Sequence, residues 1–404
     1  MNASRASASV IIVSRHRAAA LTRCLTGLAQ QDHASFEVIV VADPVAADAV
    51  QHLPVKLIRF DEANISIARN LGLAHAAAPV VAFIDDDAVA EPSWLTRLVA
   101  PFDDPQVVAS TGYVIGRNGI SLQWRASEVD SFGQDHPLAI TGAVTRSGTK
   151  TRAVKTQGTN CAFRRDALLS IGGFDPAYRF YLDEADVNLR LAPFGLTAID
   201  PMALVHHGYA ASDRRRADRV PTNLHEIAAS TAVFLRRHAS DADLDAAWAR
   251  LHAHQSLRIA THRSARRITT TEAEALLATL HDGWADGLQR PLSNLPPMLS
   301  AQSKFQPLPD TGPRAGTVIV GRIWQKPRLM SEARAAVAAG KIATVICLSP
   351  TTRAHRISFD PAGFWLQQGG VFGRFERIGP RFRLTSFAAR VASETARLAG
   401  IRPT

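Results

Sequence analysis

A chain of 404 residues suffices for two or three domains, and a composition 46% hydrophobic and 20% charged excludes disorder throughout. No apolar stretch reaches the roughly 18 residues of a membrane-spanning helix, and the widely spaced Cys24, Cys161 and Cys347 argue against a disulfide framework or a zinc site. The formal net charge of +10 favours anionic partners.

That charge is clustered, with nine Arg against three acids from Arg353 onward and a second group at Arg214-Arg215-Arg216 and Arg219. No recognised nucleic-acid module accompanies these groups, so nucleic acid is not an expected partner. Peripheral contact with an anionic membrane surface, or with phosphate, competes with a merely solvated basic face. The first apolar run, Val10–Val13, is too short for a signal peptide and reads as a strand, so the cytoplasm is the expected compartment.

In chain order, Val10–Val13 is a short, wholly apolar run of the kind that forms a parallel strand buried on both faces, and Phe36–Val41, Val55–Phe60 and Val80–Ile84 read as three further strands. Helical stretches separate them, one carrying Leu21, Leu25 and Leu28 and another spanning Asn64–Ala78. The alternation predicts an α/β fold with a mainly parallel central sheet. Ligands of such sheets bind at the carboxyl ends of the strands, and Ser14-Arg15, Asp43 and Asp85-Asp86-Asp87 all stand at such ends. Glu91-Pro92-Ser93-Trp94 opens a further helix, Val107–Ile115 reads as a strand, and a short helix from Asp166 closes at Gly172-Gly173. Residues 222–288 look helical, recurrent prolines make 290–316 a linker or extended strap, and 317–348 form one more strand–helix–strand unit. The expected partition is 1–220 for the first domain, 221–289 for a helical extension, 290–316 for the linker and 317–404 for a small basic α/β domain.

Three adjacent carboxylates repel one another, and a divalent cation relieves that repulsion while bringing substrate phosphates with it. With alternate residues facing the same way, Asp85 and Asp87 share one ligand while Asp86 faces elsewhere. The plainer reading is a solvated acidic loop.

The array Asn64-x-Ser66-x-Ala68-Arg69-Asn70-x-Gly72, a strand, then Ile84-Asp85-Asp86-Asp87 resembles the inverting family 2 glycosyltransferases with a GT-A fold. Further similar segments follow in order: Gly158-Thr159-Asn160-x-Ala162-Phe163-Arg164-Arg165, Gly172-Gly173-Phe174-Asp175, Asp183-Glu184-Ala185-Asp186-Val187-Asn188-Leu189-Arg190, and Val205-His206-His207. The resemblance covers about residues 8–215. It implies a GT-A nucleotide-diphospho-sugar transferase domain, followed by the helical segment and the small C-terminal α/β unit.

By that resemblance the donor is a nucleotide sugar, with UDP favoured, and Mg²⁺ or Mn²⁺ neutralises the leaving diphosphate. Asp87 is the expected principal ligand, Asp85 binds the donor's ribose or shares the metal, and His206 or His207 completes the shell. Ser14, Arg15, Asp43, Arg69, Asn70 and Asp86 are expected around the donor, Asp43 on its base and Arg69 towards the diphosphate. Gly158, Thr159 and Asn160 mark the acceptor region. The family presents Glu-Asp where this chain has Asp183-Glu184, and Glu184 is favoured as general base with Asp183 its rival. The acceptor implied is a surface glycan or a lipid-linked saccharide. Arg214–Arg216 suit a lid over the diphosphate or a solvated loop, and Trp124 suits a sugar platform less well than a core position. Two other functions compete. A nucleotidyltransferase making nucleotide sugars is disfavoured because Ser14-Arg15-His16-Arg17 lacks glycine, and a degenerate sugar-binding scaffold is disfavoured by the intact carboxylates.

Overall fold

The computed structural model describes residues 6–208, 214–241, 243–292, 294–300, 303–378 and 380–404. Strands β1 (Ala8–Ser14), β2 (Phe36–Ala42), β3 (Lys56–Arg59) and β4 (Val80–Phe83) alternate with helices α1 (Ala18–Leu28), α2 (Pro44–Val50) and α3 (Ile65–Ala74). They pair in parallel in the order β4-β1-β2-β3. β1, β2 and β4 are almost wholly buried, which explains why most of their positions are apolar. Helix α3 is shorter than the sequence suggests. Beyond its cap, the Ala77 and Ala78 amides donate to the Glu37 carboxylate (2.9 Å) and the Ser9 hydroxyl (3.0 Å) instead of continuing the helix.

β5 (Ala88–Ala90), α4 (Trp94–Val99) and β6 (Val107–Ile115) follow. Short strands β7 (Leu122–Trp124), β8 (Ser127–Asp130), β9 (Asp135–Pro137), β10 (Val144–Arg146) and β11 (Arg152–Val154) then lead to β12 (Cys161–Arg164). β12 lies antiparallel between β4 and β6, so it joins the parallel half to the rest of the main sheet. α5 (Arg165–Ser170) and α6 (Asp183–Leu191) precede the long β13 (Leu196–His207), which runs parallel to β6 and pairs antiparallel with β5. Strands β8, β9 and β11 form a separate small sheet. One apolar cluster centred on Val10, Val40, Trp94 and Leu98 fills one side of the main sheet, and another around Ile11, Phe83, Phe163 and Phe174 fills the other.

Helices α7 (His225–His238), α8 (Leu244–Ser264) and α9 (Thr270–Gln289) occupy the stretch expected to be helical. The described part of 290–316 takes the form of a strap. Its Met298 amide donates to the Leu169 carbonyl (2.9 Å), Leu308 to Phe36 (2.8 Å) and Gly312 to Gln31 (2.9 Å). Beyond it, β14 (Gly316–Arg322), α10 (Lys326–Ala338), β15 (Ile342–Ser349), β16 (Arg356–Asp360), β17 (Phe364–Gly370) and α11 (Phe387–Ala396) build a second sheet of order β14-β15-β17-β16. This unit is docked on the main sheet: the Ile357 amide donates to the Asn118 carbonyl (3.0 Å), and Arg402 pairs with Glu91 across the junction. No helix among the described residues is long and apolar enough to cross a membrane.

Candidate functional site

The acidic triplet follows β4 and turns directly into β5. Asp85, Asp87 and His207 present ligand atoms that all lie within 4.8 Å of one another. Asp86 faces away from them, fully buried, accepting from the Ser14 hydroxyl (2.7 Å) and pairing with Arg17 (2.7 Å). Burial, reinforced by Asp87 and Asp85 and only partly offset by Arg17, pushes its carboxyl up to about 7. Arg17 also reaches to 3.5 Å from Asp87. The repulsion within the triplet is thus partly met by arginine. Nothing in the sequence around Arg17 marks it for this task.

Strand pairing separates the two histidines. Along β13, His206 pairs with Val89 and His207 with Ala88, so their side chains leave opposite faces. His207 Nε2 lies 3.2 Å from Asp87 Oδ1, while its Nδ1 lies 3.0 Å from Gln123 Oε1. An amide oxygen only accepts, so Nδ1 carries the hydrogen and Nε2 is the atom turned to the carboxylates, as a histidine that is to hold a metal through Nε2 would require. Burial opposes the charged imidazole, but the Asp87 hydrogen bond and the charges of Asp87 and Asp85 hold its pKa above the ordinary value. His206 belongs elsewhere: its Nε2 is 2.6 Å from Glu91 Oε1, on the side where the C-terminal unit docks. Trp124, expected in the core, is 37% exposed and stacks on His207 with ring centroids 5.6 Å apart.

The second carboxylate pair opens α6. Tyr181 and Leu182, just before it, both hold left-handed backbone (φ 73° and 65°), a conformation costly for residues with a Cβ and often found at functional sites. Asp183 is buried and paired with the Arg69 guanidinium. Arg69 also lies 3.7 Å from Asp85 and donates to the Gly158 carbonyl (3.1 Å), so one arginine ties the triplet to the α6 carboxylates. A Cβ on Gly158 would come within 2.7 Å of Arg69 Nη2, so a side chain there would have to displace the guanidinium. Burial, with Asp183 beside it, pushes the Glu184 carboxyl up to about 8, against the pull of Lys155 and Arg69. Asp183 is thus committed to a buried ion pair, while Glu184 is the carboxyl with a raised proton affinity.

Other expected residues take supporting positions. Arg69 is a buried strut, over the rings of Phe83 and Phe174, instead of a free phosphate ligand. Asn70 spends both ends of its amide on the Phe174 backbone, accepting at 2.8 Å and donating at 2.7 Å, and thereby pins the Gly172-Gly173 turn. Asp43 caps α2 through the Val45 and Ala46 amides and accepts from the His16 amide (2.7 Å), fixing the loop after β1. Asn160 is fully buried and bonded to Trp94, Tyr113 and Ala203, so it frames the sheet and does not line an acceptor site. Thr159 accepts from the Asp85 amide at 3.4 Å. Arg15 pairs with Asp61 (2.9 Å) at the surface. Arg214 donates to the Ala63 carbonyl (3.2 Å) and covers the Phe180 ring, bridging towards the loop before α3.

Residues 9–172 match the family model described as glycosyl transferase family 2. Over this segment the chain is similar to the family 2 glycosyl transferases. The match takes in Asp85–Asp87 and ends before Asp183 and His207. A glucosyl-dolichyl phosphate glucuronosyltransferase of Haloferax volcanii is 33% identical over 114 residues, which cover 28% of this chain and 34% of the relative. A pre-mycofactocin glycosyltransferase of Mycobacterium tuberculosis is 28% identical over 212 residues, 48% of this chain and 42% of the relative. The chain therefore spans less than half the length of these curated relatives. A solved mannosyltransferase from Pyrobaculum calidifontis, in complex with GDP-Man and Mn²⁺, superimposes with a TM-score of 0.42 at 18% identity, covering 70% of this chain and 84% of that one.

Proposed function

We propose that this chain is an inverting glycosyltransferase that moves a sugar from a nucleoside diphosphate sugar, UDP-linked by preference, to a hydroxyl of a saccharide or lipid-linked saccharide. The observation that carries the reading is the convergence of Asp85, Asp87 and His207 beside the Arg69-linked pair Asp183 and Glu184. Two carboxylates and one imidazole nitrogen suit Mg²⁺ or Mn²⁺, whose role when bound is to neutralise the leaving diphosphate. Glu184 takes the proton of the acceptor hydroxyl as its oxygen bonds to the anomeric carbon and the bond to the diphosphate breaks. Arg69 holds Asp183 and orients the start of α6, so Glu184 is presented at a fixed place. The family 2 match and the lipid phosphate in the name of the Haloferax relative support the reaction class and a lipid-linked acceptor. We further read residues 1–220 as the catalytic domain, with the helices, strap and C-terminal unit as additions to it.

A thermal-shift panel of nucleotide sugars with Mn²⁺ tests the reading. A true donor at 100-fold its Kd stabilises by about 2.7 kcal/mol through mass action, and Asp87→Ala is expected to abolish both the shift and turnover. Full turnover in Asp87→Ala would sink the assignment.

A further inference from the structure

Beside the metal corner lies a second feature that the transfer reaction does not account for. A cavity of about 400 Å³ opens between the β6–β7 turn, the segment after residue 213 and strand β16, lined by Arg117, Asn118, Ser121, Gln123, Arg219 and Arg356 among others. Among the described residues no carboxylate is in its lining. The three arginines come from three separate segments, each shaped by its own backbone constraints. Asn118 Oδ1 accepts from the Ile120 and Ser121 amides (both 2.8 Å), closing the turn that carries Arg117. Gly119 has φ +73° and packs so tightly on the Ile357 carbonyl that a Cβ would sit 2.0 Å from its oxygen. That contact fixes β16, and with it Arg356, against the turn. Arg219 stands on left-handed backbone (φ 73°), in a tight turn where the Arg216 amide donates to the Val220 carbonyl (2.9 Å).

Three arginines make the lining electropositive, and planar guanidinium forks match phosphate oxygens. The positive field continues along the C-terminal unit, where burial together with nearby Arg374 and Arg356 holds Arg377 below its ordinary pKa. The cavity is one side chain from the metal corner, because Gln123, in its lining, is the residue hydrogen-bonded to His207. Trp124, the next residue, offers a partly exposed ring beside the same histidine.

We infer that this cavity binds a phosphate or diphosphate group of the acceptor, and that the C-terminal unit completes the acceptor site by supplying Arg356. The inference rests on the transferase reading for the word acceptor, but the anion site itself is testable without turnover. The probe is inorganic pyrophosphate titrated into the full chain in EDTA, where the donor corner lacks its cation. The wild type is expected to bind, and Arg117→Gln/Arg356→Gln to lose at least tenfold in affinity while keeping the wild-type circular dichroism and UDP–Mn²⁺ affinity. Arg117→Lys/Arg356→Lys, which keeps the charge without the fork, is expected to fall between them. Unchanged pyrophosphate binding in the glutamine variant overturns the site. A parallel loss of UDP–Mn²⁺ affinity also overturns it, by making the cavity part of the donor site. A chain that binds pyrophosphate through these arginines but no nucleotide with Mn²⁺ would refute the transferase reading and leave the anion site standing. Two arms identify the source of the phosphate. Arginine-dependent capture on phosphatidylcholine vesicles carrying farnesyl phosphate indicates a lipid phosphate, and pyrophosphate binding without that capture indicates a soluble phosphorylated saccharide.

Discussion

Replacing Arg402 by alanine is expected to be among the most damaging single changes outside the carboxylate site. Arg402 donates to both oxygens of Glu91 (2.6 and 2.5 Å), and both side chains are nearly inaccessible, at 2% and 1% exposure. Burial alone would raise the Glu91 carboxyl, yet Arg402 and His206 hold it down to about 2. Removing one partner of such a pair leaves a buried charge and costs about 3–5 kcal/mol. The guanidinium also lies 3.8 Å from the centre of the Trp365 ring, a cation–π contact worth roughly 1–2 kcal/mol when desolvated. A folded carboxyl pKa near 2 contributes stability that is full above the ordinary value near 4.5 and is lost as pH falls towards 2. The gap between wild type and Arg402→Ala is therefore expected to be widest near neutral pH and to narrow below about pH 4.5. Urea denaturation at pH 7 and pH 4, with limited proteolysis to detect separate release of the C-terminal unit, measures it. Glu91→Gln/Arg402→Met removes both charges and is expected to recover most of the loss. A single-variant cost below about 1 kcal/mol at pH 7, the range of an exposed pair, or a double variant no better than the single one, refutes this account.

Glu184→Gln is expected to lower kcat by about 10²–10⁴ as general-base loss does, with Asp183→Asn acting mainly through misplacement of α6; full activity in Glu184→Gln would shift the role to Asp183. Because its carboxyl is raised to about 8, kcat is expected to climb as pH rises towards that value. Stability should move oppositely, since a raised carboxyl favours the fold below its unfolded pKa and loses that contribution as pH rises through the folded one. Glu184→Gln should flatten both slopes, readable from pH–rate profiles and pH-dependent melting. Arg69→Met strands Asp183 in a buried position and is expected to cost about 3–5 kcal/mol by denaturant titration; a loss within 1 kcal/mol would show that Asp183 has another partner. His207→Ala is expected to weaken Mn²⁺ binding by about tenfold or more, followed as free Mn²⁺ by electron paramagnetic resonance, whereas His206→Ala should leave that affinity nearly unchanged and lower stability instead.

Much of this architecture is readable from the sequence because burial on both faces leaves an unmistakable mark. Val10–Val13, Phe36–Val41 and Val80–Ile84 are apolar at nearly every position since β1, β2 and β4 are covered on both sides. The triplet stands out for the opposite reason, as three charges at the end of such a strand. What local pattern does not encode is which distant group a polar side chain meets. Asn70 and Asn160 fit a donor or acceptor site by position in the chain. Their amides are instead consumed by Phe174, 104 residues away, and by Trp94, 66 residues away. Arg17 looks like any arginine at the start of a helix until β1 and β4 pair and bring it to Asp86. Helix α3 fell short because side chains from neighbouring strands took the amides its periodicity would have used.

The histidine pair shows most clearly what only the fold decides. Two adjacent residues on a strand face opposite ways, so at most one of His206 and His207 can join Asp85 and Asp87, and either choice is compatible with the sequence. The register of β13 against β5 makes it His207. That register also gives His206 a purpose. β5 is three residues long, with Asp87 immediately before it and Glu91 immediately after it. Its partner His207 meets Asp87 on one face, and its partner His206 meets Glu91, and through it Arg402, on the other. A short buried strand cannot shift at one end without disturbing the other. The seat of the C-terminal unit and the placement of Asp87 are therefore two properties of one rigid element.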